Sequence, residues 1–251
     1  MYIIPNFKLV IEYKGTNYAG WQKQKNAGTV QGEIEKALKN IFGKRINLIG
    51  SGRTDTGVHA LGQVANFFSE TKLAREKIRE ALNFHLPGDI RIRRISYTGS
   101  RFHSRFSAKS KVYRYIVVQK KSPFLKNEAY FYPRKLDLSR MEEASGYFLG
   151  RHDFSSFQNR GSSRKDAFVT LQRMKINWIY LNPGSARALI IELTANAFLY
   201  RMVRNLVGLL LAVGRGQINP KEAGVILQTH DRRQSPPPVP AHGLYLIRVK
   251  Y

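Results

Sequence analysis

The chain has 251 residues, 43% of them hydrophobic and 12% aromatic, which is enough apolar material for one large core or two small ones and excludes a disordered polymer. Lys and Arg number 42 against 17 acids, a net charge of +25 spread over the whole length, so the surface reads as one made to meet a polyanion; a thermophile's charged surface, the alternative, balances both signs. With no cysteine, disulfides, thiolate catalysis and cysteine-ligated zinc are excluded. The N-terminal "MYIIPNFKLVIEYKG" lacks the basic and apolar regions of a signal peptide. The longest apolar run, "NLVGLLLAV", is far short of the roughly 20 residues of a membrane span. A soluble, cytoplasmic protein with no membrane partner is expected.

In chain order, "FKLVIEYKG" alternates as a strand does, and "TVQGEIEKALKNIFG" carries Val30, Ile34, Ala37, Leu38 and Ile41 at helical spacing. "INLIGSG" and "GQVANFFS" predict two short strands, "AREKIREALNFHLPG" a helix stopped by Pro87-Gly88, and "IRIRRISYT" a strand. The second half repeats that order. "KVYRYIVVQ" is a strand, "DLSRMEEASGYFLG" a helix, "VTLQRMKINWIYL" and "RALIIELTANAF" strands, and "LYRMVRNLVGLLLAVG" a long, mostly buried helix. A short helix "PKEAGVILQTH" precedes the last strand, "LYLIRVKY". Two copies of a split βαβ ferredoxin-like unit fit the pattern, an α+β fold with an N-terminal half over 1–104 and a C-terminal half over 105–251. The polar, basic "SRFHSRFSAKS" marks the junction; "QSPPPVPAHG" reads as an ordered covering loop, and "QNRGSSRKD" as a mobile loop suited to touching RNA.

One stretch carries chemistry. In "SGRTDTGVHA" the carboxylate of Asp55 lies in a tight loop between strands, after Arg53 and before Gly57. Asp-Thr-Gly is also ordinary turn chemistry. An aspartic protease uses the same triplet, but needs two carboxylates sharing a proton, and the chain has a single such triplet, preceded by Arg53 and Thr54 in place of an apolar strand. Metal hydrolysis is disfavoured too: six Asp and six His never cluster at ligand spacing, and Arg151–Asp153, "RHD", is the closest approach. Most glutamates sit beside Lys or Arg in helical patterns, where a solvated ion-pair face explains them.

In order along the chain, "YKGTNYAGWQKQ", "TVQGEIEKAL", "GSGRTDTGVHA", "FHSRFSAKSKVYRY", "HDFSSF", "ANAFLYRMVRN" and "PPPVPAHGLYL" resemble the motifs of the tRNA pseudouridine synthase A family. The resemblance covers nearly the whole chain. It implies two ferredoxin-like halves joined through a continuous antiparallel sheet, a homodimer, and isomerisation of uridine to pseudouridine in the anticodon stem-loop of tRNA, with no cofactor and no metal. Asp55 matches the family's catalytic aspartate, the nucleophile. Arg204 matches its basic partner; Arg201 and Arg204 also fall in the early turns of an apolar helix, where a cation opposes the dipole and a buried arginine wants an anion, for which Asp55 is the natural choice. Tyr113 matches the active-site tyrosine, which would stack on the base and serve the final proton removal; Tyr115 shares its strand parity. Arg53 would occupy the space of the extruded base.

Affinity for RNA is expected from Arg53, Arg101, Arg105, Lys109, Lys111, Arg160, Arg164, Lys165 and Arg201, a phosphate-tracking set when taken together. His59 and His103 read as structural histidines. A non-catalytic RNA-binding module on the same scaffold would carry paired aromatics in an RNP octet, and no such octet is present.

Overall fold

The computed structural model describes residues 4–161, 166–181 and 186–251. They form two compact units, residues 1–109 with 245–251 and residues 110–244. The boundary therefore falls a few residues beyond the expected 104/105. The last strand, expected in the second half, groups with the first.

The first unit runs β1 (Asn6–Tyr13), α1 (Val30–Phe42), β2 (Ile49–Gly50), β3 (His59–Phe68), α2 (Arg75–His85) and β4 (Ile90–Thr98). The strands lie in the order β4-β1-β3, with β2 on β3, the arrangement of a ferredoxin-like unit. Alternation along β1 buries Phe7, Leu9 and Ile11 completely, and Phe7 stacks on Phe67 of β3 at 5.1 Å. Helix α1 starts where Thr29 accepts from the Gly32 amide and ends at Gly43, so both boundaries follow from cap chemistry. Its Val30, Ile34 and Leu38 and the Ile78 and Leu82 of α2 are buried with them.

Two features of this unit depart from the expected pattern. The run "INLIGSG" yields only the two residues of β2, because β2 takes part of an edge of β3 (Ile49↔Asn66, Gly50↔Ala65). Farther along, at Tyr245↔His59 and Leu246↔Ala60, β3 pairs with β10 (Leu244–Lys250), and the pairing is parallel. A strand arriving from a distant part of the chain is not bound by the hairpin that forces neighbouring strands antiparallel.

The junction segment is stapled down. Asn6 Nδ2 donates to the carbonyls of Gly99 (3.1 Å) and Phe102 (2.9 Å), Asn66 Nδ2 to Asn6 Oδ1 (3.0 Å), and the Ser104 amide to Asn66 Oδ1 (2.9 Å). Arg101 and Arg105 are exposed on a segment with a fixed path.

The second unit runs β5 (Ser110–Val118), β6 (Tyr130–Phe131), α3 (Leu138–Gly146), β7 (Gly150–Asp153), β8 (Phe168–Leu181), β9 (Ala186–Ala195), α4 (Met202–Gly214) and α5 (Pro220–Gln228). Its order β5-β9-β8 repeats β1-β3-β2 of the first unit; β7 extends it beyond β8, and β6 pairs with β5, again in parallel. The pairings expected to be antiparallel throughout are thus mixed, and β6 and β7 are additions whose short runs carry no alternation long enough to read.

Helix α4 is buried on nearly every face, as its composition requires. It begins at Met202 and not at Leu199, because Arg201 adopts φ 61°, ψ 8° and cannot continue a right-handed helix. Among the described residues no helix is long and apolar enough to cross a membrane.

The four-proline segment is ordered, as expected, and its carbonyls are held by buried and half-buried side chains. Arg232 donates to the carbonyls of Ser235 (2.6 Å) and Pro236 (3.1 Å), Arg204 Nε to that of Val239 (2.7 Å), and the Tyr115 hydroxyl to that of Pro240 (2.7 Å). Next to it, burial holds the His242 imidazole below its ordinary pKa; a hydrogen bond to the Ala129 backbone opposes this, and the charge of Arg204 adds to it. The folded chain then binds a proton less readily than the unfolded chain, so stability falls as pH drops through the ordinary histidine range near about 6.5. His242→Gln should lose less stability than the parent between about pH 7.5 and 5.5, measured by urea melts at each pH. Identical losses in the two proteins would show that another group sets this slope.

Candidate active site

Asp55 lies between β2 and β3, in irregular backbone held from below. The Val58 amide donates to the Asp55 carbonyl at 3.1 Å, closing a turn in which Gly57 takes φ 79°, the left-handed value that glycine permits. The turn reading of Asp-Thr-Gly is therefore correct for the backbone, and it leaves the half-buried Asp55 side chain to be explained. Upstream, the Ser51 amide bonds the Val64 carbonyl at 2.8 Å, and the Ser51 hydroxyl donates to Gln63 Oε1 at 2.7 Å. Gln63 Nε2 donates to the Gly52 carbonyl at 3.0 Å.

The segment after β1 forms a second wall. The Trp21 amide donates to the Thr54 carbonyl at 3.1 Å, and Tyr13 at the end of β1 bonds Thr54 Oγ1 at 2.8 Å. Gly20, at φ 91°, comes so close that a Cβ there would meet the Thr54 carbonyl oxygen at 2.5 Å. This explains the motif "YKGTNYAGWQKQ", for which residue chemistry alone offered no role: it buttresses the Asp55 loop.

Beside it runs a polar cluster that includes a buried glutamate. Glu35 is 7% exposed; its Oε1 accepts from Gln31 Nε2 (3.1 Å) and the Leu48 amide (3.2 Å), and its Oε2 pairs with Lys23 at 2.7 Å. The reading of the helical glutamates as a solvated face fails here, because the carboxylate is spent tying α1 to the Leu48 backbone. Arg53, by contrast, is exposed, with its Nε on Gln22 Oε1 at 3.2 Å.

Both histidines are structural, as expected. His59 is 1% exposed, accepts the Gly15 amide on Nδ1 at 3.1 Å and stacks on Tyr245 at 4.7 Å. His103 Nδ1 accepts the amides of Arg105 and Phe106.

The second unit carries Tyr113, Arg201 and Arg204. Tyr113 on β5 is 8% exposed and meets the Phe198 ring edge-on at 5.0 Å. Tyr115, two residues on, is fully buried with its hydroxyl committed to Pro240, and burial pushes its pKa far up; it belongs to the core. Arg204 is half-buried in the first turn of α4, where its side chain holds the Val239 carbonyl and its own carbonyl accepts the Val239 amide at 3.2 Å.

Arg201 is not in the helix: it precedes it in a left-handed conformation, its guanidinium 5.1 Å from the Tyr200 ring and its Nε buried without a hydrogen-bond partner. Next to Arg204, Asn205 is fully buried and donates to the Phe157 carbonyl (2.7 Å) and Asn159 Oδ1 (2.9 Å), while its own Oδ1 accepts from Arg232 (2.9 Å). Asn205 and Arg232 were not among the expected site residues, and no spacing signal marks them.

Of the expected RNA contacts, Lys109 and Arg160 are exposed and Lys111 is half-buried, while Arg164 and Lys165 lie outside the described residues. The loop that was expected to be mobile is anchored at its start, where the Asn159 amide donates to the Tyr200 carbonyl at 3.1 Å. Asp153 of the "RHD" run caps a turn, accepting from the Ser155 amide (2.8 Å) and hydroxyl (2.6 Å). Among the described residues no three His, Asp or Glu gather where they could hold a metal ion.

The model of the tRNA pseudouridine synthase family matches residues 9–107 and 144–251. The tRNA pseudouridine synthase A of Acetivibrio thermocellus is 43% identical over 248 residues, covering 98% of this chain and 99% of that one. That of Thermoanaerobacter sp. strain X514 is 44% identical over 250 residues, and that of Pseudothermotoga lettingae 38% over 247, with the same coverage. A chain that matches along its length, through the Asp55 loop and the Arg204 helix alike, belongs to the tRNA pseudouridine synthase A family of isomerases.

Proposed function

We propose that the protein isomerises uridine in the anticodon stem-loop of tRNA with Asp55 as the nucleophile, and that Tyr113 and Arg204 complete its catalytic set. The observation that carries this reading is the Asp55 loop. Its backbone is fixed by Trp21, Gln63 and Val64, while the half-buried carboxylate follows the exposed Arg53 in a chain otherwise poor in acids. Isomerisation breaks the C–N glycosidic bond, turns the base and forms a C–C bond, after which the proton on that carbon leaves. A carboxylate that adds covalently divides this into easier steps. Tyr113 takes the stacking and proton-removal role, and Arg204, clamped by Val239, is the basic member of the set.

Asp55→Asn should lower single-turnover conversion by about 10³-fold or more while tRNA affinity stays near the parent's. Asn serves as well as Asp in a turn, so a variant that turns over within about tenfold of the parent would return Asp55 to a purely structural role.

Binding is proposed to be electrostatic, through Arg53, Arg101, Arg105, Lys109, Lys111, Arg160, Arg164, Lys165 and Arg201. Each phosphate contact contributes roughly 0.7–0.9 to the slope of log affinity against log salt. Replacing the exposed Arg101 and Arg105 together with Ala should flatten that slope by about 1.5. An unchanged slope would remove Arg101 and Arg105 from the RNA footprint.

The protein is further proposed to act as a homodimer. Sedimentation at micromolar concentration should give twice the mass of the 28.8 kDa chain, and a monomer at that concentration would refute it.

A further inference from the structure

Under the Asp55 loop, Ser51 with Gln63 and Tyr13 with Thr54 form two buried hydrogen-bonded pairs, none of the four more than 7% exposed. Gln63 Oε1 accepts the Val64 amide at 3.1 Å, a donor of fixed direction, and this sets which end of the side-chain amide is oxygen. The same oxygen takes the Ser51 hydroxyl at 2.7 Å. Nε2 is then the donor end, and it donates to the Gly52 carbonyl at 3.0 Å.

Tyr13, at the end of β1, shares a hydrogen bond with Thr54 Oγ1 at 2.8 Å. Burial pushes the Tyr13 pKa far above its ordinary value, so the phenol keeps its hydrogen at any working pH. The two bonds that reach the loop, from Gln63 to the Gly52 carbonyl and between Tyr13 and Thr54, the residue that immediately precedes Asp55, fall on either side of Arg53.

We propose that Gln63, Tyr13 and Thr54 are positioning residues, whose buried hydrogen bonds fix the backbone leading into Asp55 and so the aim of its carboxylate. The proposal rests on the reading of Asp55 as nucleophile and deepens it. Thr54 Oγ1, held by the Tyr13 hydroxyl, does not turn to a different partner. Loss of either hydroxyl frees the loop at that point, and small misplacements of a reacting group cost about 10²-fold in rate.

The test uses Thr54→Val, which keeps the shape and removes the hydroxyl, Thr54→Ser, which keeps the hydroxyl, and Tyr13→Phe. Single-turnover rate on saturating tRNA, tRNA Kd and thermal midpoint are measured for each. Thr54→Val and Tyr13→Phe should each slow the chemical step by about 10- to 100-fold with Kd within about twofold of the parent. Thr54→Ser should recover most of the rate. The double variant Tyr13→Phe/Thr54→Val should be no slower than the slower single, because groups acting as one unit are not additive.

A Tyr13–Thr54 bond that only stabilises the fold would lower the midpoint and leave the rate of the folded enzyme near the parent's. That result, or a double variant whose loss is the product of the singles, overturns the proposal. If Tyr13→Phe fails to fold, the Thr54→Val and Thr54→Ser pair decides alone. Failure of the nucleophile reading is recognised separately, by an Asp55→Asn enzyme that still turns over; an inactive Asp55→Asn beside a fully active Thr54→Val sinks the positioning role only.

Discussion

Asp55 sits on irregular backbone, and irregular backbone buried on its inner side has no helix or strand to satisfy its amides and carbonyls. In the Asp55 loop those groups are met from elsewhere: the Ser51 amide by the Val64 carbonyl, the Gly52 carbonyl by Gln63, and the Thr54 carbonyl by the Trp21 amide. The demand explains much of the first unit. Tyr13, Gly20 and Trp21 belong to one segment because that segment has to come against the loop, and Gly20 permits the approach. Glu35 is buried for the same reason one layer out, where Gln31 and Lys23 join it to α1 and to the Leu48 backbone.

The second unit meets the same constraint with opposite chemistry. Prolines offer carbonyls and no amide hydrogens, so an ordered four-proline loop needs donors brought to it. Arg232, Arg204 and Tyr115 supply them, and burial lowers the Arg232 pKa as it does so. Some of the +25 net charge is therefore structural. Arginine suits the task because its planar fork reaches several acceptors at once: Arg232 spans Ser235, Pro236 and Asn205.

The elements with clear periodicity were legible in the sequence. Thr29 and Gly43 bound α1 by cap chemistry, and β4 coincides with "IRIRRISYT". The loop position of Asp55 was legible as well, since Gly57 and the flanking threonines mark a turn. What could not be read depends on partners distant in the chain. The parallel pairing of β10 with β3 involves residues far apart in sequence, and no local pattern encodes it. Arg201 sits in an apolar helical run yet adopts a left-handed conformation, because the turn after Leu199 overrides local propensity. Glu35 looked like its solvated neighbours because burial is a property of the fold and not of the residue. The distinction between Tyr113 and Tyr115, equal by strand parity, is made by the Pro240 carbonyl that Tyr115 holds.

The pairing of Tyr245 and Leu246 with His59 and Ala60 has a consequence for the order in which the molecule becomes functional. The strand that leads out of the Asp55 loop finds part of its ladder only in residues made some 185 positions later, roughly the distance from Ala60 to Tyr245 along the chain. On the ribosome, residues 1–109 of the first unit emerge with that stretch of β3 still unpaired, and His59 without the Tyr245 ring it stacks on. Synthesis that stops short of Tyr245 leaves the loop with one of its supports missing. The Asp55 loop thus leads into a strand whose ladder is completed only after Tyr245 and Leu246 have been made.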